Sequence, residues 1–199
     1  MLSAEDRERL VAAVDRAVHW HARQARKGTG VPYVSHLLQV AGLVLEHGGD
    51  GDQAVAALLH DALEDTDATV EDVEHEFGPR VARIVLDATD TLPGDAPDRK
   101  SPWEERKRRH LDRFAALPAD SALVVACDKR HNLASIVADV RASGLEATAA
   151  RFNSEPDQWL WYYRAALNLL GDRIPVRLAT ELEELVAELD TLLDEDWPA

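Results

Sequence analysis

The run AALLHDALEDT sets His60 and Asp61 side by side, with Glu64 and Asp65 one helical turn later. Imidazole nitrogen and carboxylate oxygen are both metal-ligand types. Residues four apart on a helix share a face, so the run offers two ligands and two carboxylates leaning over whatever they hold. The stretch before it, AVAALLH, is apolar and places the dyad where a helix enters a core. Charged groups there need a partner, and a metal ion is an adequate one.

Two more residues complete a candidate set. His36 follows a Pro-Tyr turn and opens the apolar run LLQVAGLVL, and Asp128 lies within LVVACDKRHNLASIV. Two His and two Asp without a thiolate suit Mn²⁺, Fe²⁺ or a similar ion better than a Cys-rich structural zinc site. Each residue alone has a plainer reading. His36 reads as a packed or capping histidine, Asp128 as an ion-pair partner of Lys129 or Arg130, and His-Asp as a common dipeptide. The order H…HD…D, with the acidic pair a turn after the HD, gives the set its weight. The remaining His19, His21, His47, His75, His110 and His131 sit among polar residues and read mostly as surface. His131 shares a helix with Asp128 and reads as either a support for the ligands or exposed.

The elements that must position these groups are helical. Ser3 caps a helix reaching about Arg26, with Leu10, Val11, Val14, Ala17 and Val18 on one face. KGTGVPY is a loop. A helix then starts near Ser35 and closes at Gly48-Gly49, and Asp50 to Leu63 forms a central apolar helix. Thr69 caps VEDVEHEFG, Pro79 opens RVARIVLDATD, and the prolines of LPGDAPDRKSP end any helix. Helices follow over Trp103 to Leu117 and Ser121 to Ser143, and Pro156 precedes another, DQWLWYYRAALNLLG, ended by Gly171. The last, Val176 to Asp194, spaces Leu178, Leu182, Leu185, Leu189 and Leu192 in a heptad-like seam, short for a coiled coil. No run alternates with period two, so the expected fold class is all-α. The expected division is a domain over 1–175, with the acidic amphipathic helix of 176–199 packed on it or mediating dimerisation.

The chain of 199 residues carries 22 Lys+Arg against 37 Asp+Glu, a net charge of -15. That balance argues against nucleic acid and anionic membranes as partners. The single Cys127 excludes an intrachain disulfide and fits a reducing, cytoplasmic setting. No apolar stretch has the ~20 residues needed to cross a bilayer, and MLSAEDRERLVAAVDRA reads as a charged amphipathic helix rather than a signal peptide. Charge is uneven: Arg99 to Arg113 holds seven Lys/Arg against three acids, whereas Glu181 to Asp196 holds eight acids and no base. The basic strip is either a solvated helix face or a place for a small, highly charged anion.

Taken together, HARQARKG, GVPYVSHLLQVA, AALLHDALEDT, FGPRVARIV with ATDTL, and CDKRHNLAS resemble, in order, the HD superfamily of metal-dependent phosphohydrolases. Within it they resemble the hydrolase domain of Rel/SpoT enzymes and the small alarmone hydrolases, which remove the 3′-pyrophosphate of (p)ppGpp. The resemblance covers about residues 15–140 and implies an HD-domain helical bundle. It implies His36, His60, Asp61 and Asp128 as ligands of a metal, usually Mn²⁺, and Glu64 and Asp65 as the catalytic acidic pair. It places Arg26, Lys27, Lys107 and Asn132 as substrate contacts. The WYYRA segment does not align with the family's last helix.

The expected activity is therefore metal-dependent hydrolysis of (p)ppGpp to GDP or GTP and pyrophosphate, on a small-molecule nucleotide, with a homo-oligomer left open. Three alternatives remain: an HD phosphohydrolase for another nucleotide, a degenerate nucleotide-binding regulatory module, and an interaction protein working through its leucine seam.

Overall fold

The computed structural model describes residues 1–90 and 101–196, and the expected loop at 92–102 lies largely outside them, as do Arg99 and Lys100. The described residues form an all-helical HD-domain bundle; their one β-type feature is an isolated bridge between Ala25 and Pro32. In chain order the helices are α1 (Ala4–Trp20), α2 (Val34–Glu46), α3 (Gly51–Leu59), α4 (Ala62–Asp65), α5 (Val70–Phe77) and α6 (Pro79–Ala88). They continue as α7 (Trp103–Phe114), α8 (Ala119–Ser143), α9 (Leu145–Ala149), α10 (Pro156–Leu170) and α11 (Val176–Asp196).

Local chemistry sets the starts. Ser3 with Asp6, Asp50 with Gln53, and Thr69 with Asp72 each form a reciprocal capping box, satisfying amides that a helix N-terminus leaves bare. Pro79 stands in the first turn of α6, where no amide is missed.

Two helices are enclosed rather than amphipathic: α3 is buried continuously from Gln53 to Leu59, and α8 from Ser121 to Lys129. α1, α2 and α6 pack around α3, while α2, α10 and α11 pack on α8. Both enclosed helices deliver site residues, so the site is built on the most enclosed helices of the described bundle.

Three expectations need correction. α1 ends at Trp20, not near Arg26, and its buried face is Ala13 and Ala17 with Leu10 and Val14, leaving Val11 and Val18 in solvent. The chain beyond doubles back instead: the Arg26 amide donates to the Val31 carbonyl (2.8 Å) and the Tyr33 amide to the Gln24 carbonyl (2.9 Å). The central helix stops at Leu59 and restarts at Ala62. Its break is local, because the His60 ring donates from Nδ1 to the Ala57 carbonyl (2.8 Å), competing for the acceptor a continuing helix would give the Asp61 amide. Finally, His21, His47, His110 and His131 are buried, whereas His19 and His75 are exposed. Polar neighbours in sequence did not keep them outside, since burial is set by what packs across from them.

The leucine seam is occupied within the chain. Leu178, Leu182 and Leu189 are buried, joined by Val186 and Leu193, where α11 lies along α8 and α10. Leu185 and Leu192 are half-buried against the same core. Among the described residues no helix is long and apolar enough to cross a membrane.

Candidate metal centre and adjoining cavity

Four side chains from three separate places meet at one point. His36 comes from the first turn of α2, His60 and Asp61 from the break after α3, and Asp128 from the middle of α8. His36 Nε2 lies 3.3 Å from His60 Nε2, 3.4 Å from Asp61 Oδ2 and 3.3 Å from Asp128 Oδ1. His60 Nε2 lies 3.1 Å and 3.4 Å from the same two oxygens. The ligand atoms of His36, His60 and Asp128 all fall within 4.8 Å of one another, and all three residues are buried.

The donor set fits a divalent ion. The Ala57 carbonyl occupies His60 Nδ1–H, so the lone pair of His60 is on Nε2, facing the cluster. The other ring nitrogen of His36 is likewise engaged, 2.9 Å from His131 Nδ1. Metal-bound histidines are held through their second nitrogen in this way. The carboxylates are held too: the Tyr33 hydroxyl donates to Asp61 Oδ2 (2.5 Å), Lys129 Nζ to Asp128 Oδ2 (2.6 Å), and Asn132 Nδ2 to Asp128 Oδ1 (2.5 Å). Lys129 was weighed from sequence only as a plain ion-pair partner of Asp128; it fills that role while the other oxygen stays in the centre.

The electrostatics agree with a cation site. Burial disfavours charge on Asp128, but Lys129 and the imidazoles of His36 and His60 outweigh it and hold the carboxyl well below the usual range. Burial is outweighed at Asp61 as well, by His60 and His36. At His60 burial opposes protonation, and Asp61 and Asp128 overcome it, raising the imidazole well above its ordinary value.

Glu64 and Asp65 divide. Asp65 accepts from Gln24 Nε2 (2.9 Å), whose own amide oxygen is 2.5 Å from His21 Nδ1. Glu64 turns to Asp90, with which it shares a hydrogen bond, and lies 3.7 Å from Arg106 Nη1. Burial and the Asp90 charge push the Glu64 carboxyl up to about 7. Asp90 is held down against its own burial by Lys107, by the Glu64 hydrogen bond and by Arg106. Two nearby carboxyls that share a proton separate in this fashion.

A cavity of about 500 Å³ adjoins the centre, with Arg26, Lys27, Tyr33, Asp65, His131 and Asn132 in its wall. Its wall also includes Phe152 and Tyr163, aromatic residues of the kind a base stacks on. Arg26 donates to Asn132 Oδ1 (3.0 Å), so these expected substrate contacts are joined and Asn132 ties them to Asp128. The basic loop is closely held: Gly28 has φ +69, and the Arg151 side chain fills the space where its Cβ would stand. Lys107 is not in this wall; its ammonium pairs with Asp90 and sits 5.1 Å from the centre of the Tyr162 ring. A hollow of about 680 Å³ on the α1–α5 side also touches Asp65, but Asp67, Asp72 and Glu76 line it and would repel a polyphosphate.

Sequence reasoning assigned no role to Tyr33, Gln24, Asp90 or Arg106. Tyr33, Gln24 and Asp90 all lie inside the stretches that carried the family resemblance, and that placement was the available signal.

Residues 13–152 match the family model of the HD domain. The chain belongs to the HD-domain family. Among HD-domain proteins it is homologous to the MESH1/SpoT-type pyrophosphohydrolases. It is 39% identical over 127 residues to guanosine-3′,5′-bis(diphosphate) 3′-pyrophosphohydrolase MESH1 of Mus musculus, covering 62% of this chain and 67% of that protein. The Drosophila melanogaster protein of the same name is 29% identical over 180 residues, 89% of this chain and 92% of its own. A solved structure of a metazoan SpoT ortholog, described as hydrolysing ppGpp and acting in starvation responses, superposes with a TM-score of 0.69 at 26% identity. The match covers 98% of this chain and 97% of that one. The HD-domain match spans the metal centre and every residue named in the cavity wall except Tyr163.

Proposed function

We propose that this chain is a metal-dependent (p)ppGpp 3′-pyrophosphohydrolase, releasing GDP or GTP and pyrophosphate. The observation that carries the reading is the pairing of a two-His, two-Asp centre with an adjoining cavity lined by Arg26 and Lys27, by the ligand-bonded Tyr33, His131 and Asn132, and by the aromatic Phe152 and Tyr163. Homology to proteins named for this activity supports the substrate.

His36, His60, Asp61 and Asp128 would hold the ion, which we take to be Mn²⁺. When bound it supplies Lewis-acid polarisation of a phosphoryl oxygen and acidifies water. The chain's own groups do the rest. Asp65, fixed by Gln24 at the cavity wall, orients the attacking water and receives its proton. Glu64, with its carboxyl near 7, keeps a proton that passes to the departing 3′-oxygen as the phosphorus–oxygen bond breaks. Arg26 and Lys27 face the phosphates and offset charge growing on their oxygens. Lys107 acts through the Asp90–Glu64 pair at the edge of the same site.

Residues 1–175 form the hydrolase unit in this reading. The helix from 176 serves it by packing, since its leucines are consumed within the chain. The lone buried Cys127 suits a reducing cytoplasm. The test is turnover of ppGpp by Mn²⁺-loaded protein beside dNTPs, NADPH and cyclic nucleotides. Cleavage of another nucleotide with ppGpp untouched defeats the substrate. Asp61→Ala is expected to lose metal and turnover together, whereas Glu64→Gln keeps the metal and loses turnover.

A further inference from the structure

Among the described residues, His131 is the histidine that both lines the cavity and touches a candidate ligand, as Tyr33 and Asn132 do through other groups. It follows Asp128 by three positions on α8, so it emerges beside that ligand on nearly the same helix face. Its Nδ1 lies 2.9 Å from His36 Nδ1, with the rings tilted by 55° and their centroids 4.7 Å apart. The partner of a metal-bound histidine is ordinarily a carboxylate, a backbone carbonyl or a water. At His60 that rule is met by the Ala57 carbonyl. At His36 another imidazole stands in that place.

The pairing restricts both tautomers. A nitrogen-to-nitrogen hydrogen bond between two rings needs one donor and one acceptor. His36 Nε2 lies among His60 Nε2 and the two carboxylate oxygens, and must present a lone pair to serve as a ligand. Its proton is then on Nδ1, and His131 Nδ1 accepts it. A neutral His131 that accepts at Nδ1 has its proton on Nε2, and its ring forms part of the cavity wall beside Asn132. His21, His47 and His110 each carry a sealed ring nitrogen without a hydrogen bond, but neither nitrogen of His131 is so sealed. The tautomer that makes His36 a ligand therefore also leaves a donor at the cavity.

We propose that His131 is a positioning residue that fixes His36 through Nδ1 and, in the same tautomer, commits Nε2–H as a hydrogen-bond donor to an oxygen of the bound nucleotide. Metal and substrate are thereby linked through one ring: the arrangement that readies the centre also readies the donor. The proposal rests on the metal-centre reading, and its first arm requires no substrate.

Three substitutions separate the two nitrogens. An Asn side chain places an amide oxygen near the position of Nδ1 and nothing at Nε2, whereas Gln reaches the position of Nε2 and leaves Nδ1 empty. Full-length, chelator-stripped protein is titrated with Mn²⁺ by calorimetry, with folding followed by circular dichroism. His131→Phe and His131→Gln are expected to bind Mn²⁺ about 10- to 100-fold more weakly, the loss typical when a ligand's outer partner is removed. His131→Asn is expected to recover most of that affinity. At saturating Mn²⁺ His131→Asn then raises KM for ppGpp with kcat little changed, while His131→Gln retains KM. Wild-type Mn²⁺ affinity in folded His131→Phe or His131→Gln overturns the positioning role, and so does a folded His131→Asn as weak as His131→Gln. If His131→Phe does not fold, the Asn and Gln pair decides alone. Should ppGpp prove not to be a substrate, the Mn²⁺ arm still stands or falls separately.

Discussion

Replacing Lys129 with methionine is expected to weaken the metal-free fold while tightening metal binding. Lys129 is buried, and its ammonium donates to Asp128 Oδ2 at 2.6 Å; methionine is an unbranched chain that fills much of the same channel without the charge. Removing one partner of a buried ion pair leaves an uncompensated charge and costs about 3–5 kcal/mol. In the loaded protein the ion bound at the other Asp128 oxygen supplies positive charge. The cost then falls toward that of a lost hydrogen bond to a charged group, about 1.5–3 kcal/mol. The difference of about 2 kcal/mol must appear as metal affinity, about 30-fold tighter at 1.4 kcal/mol per tenfold. Removal of a cation that repels the incoming ion acts in the same direction. Urea unfolding of Lys129→Met in chelator and in saturating Mn²⁺ gives the two stabilities, and calorimetric titration gives the affinity. Equal losses in both conditions, or weaker Mn²⁺ binding, would refute the reasoning and mean that Lys129 holds Asp128 by geometry rather than by charge.

Two further outcomes are expected. Asp90→Asn removes a charge that raises the Glu64 carboxyl to about 7, so carboxyl-carbon NMR of metal-free protein should show the Glu64 midpoint moving down. A carboxyl raised in the folded state contributes stability that is complete below its unfolded value near 4.5 and is lost as pH rises through about 7; that part of the pH dependence should therefore flatten in the variant, and an unmoved midpoint would separate Glu64 from Asp90. Leu178→Ala, at a fully buried position where α11 meets the core, should cost about 2–5 kcal/mol in urea unfolding, whereas a loss under ~1 kcal/mol would mean that α11 is not held there.

The candidate metal group of His36, His60 and Asp128 was legible because its chemistry is written in residue type and order, each against an apolar stretch, and can be read without knowing how the stretches meet. The helix break between Leu59 and Ala62 was not legible. The apolar pattern runs on through it, and the His60 side chain's hold on Ala57 is a contact that no periodicity shows. Support was legible only as one of two readings of His131, and not at all for Tyr33, for a related reason. Tyr33 is 28 residues from Asp61 and His131 is 95 from His36, so each role exists only once α2 and α8 have packed. Lys107 shows a different gap: the resemblance placed it among substrate contacts, and the basic strip gave no sign that a carboxylate outside it, Asp90, engages its ammonium.

The Arg151 side chain, packed where Gly28 lacks a Cβ and tied at 2.5 Å to Asp139 on α8, bears on how fast and how tightly a ligand is caught. A loop carrying Arg26 and Lys27 would ordinarily lose conformational freedom on closing over phosphates, and that loss would be deducted from affinity. Here the folded chain has already ordered the loop before any ligand arrives. Capture then resembles docking into a preset clamp. Any side chain at position 28 would displace Arg151 and return the entropy cost to the binding step, even though position 28 itself need touch no nucleotide.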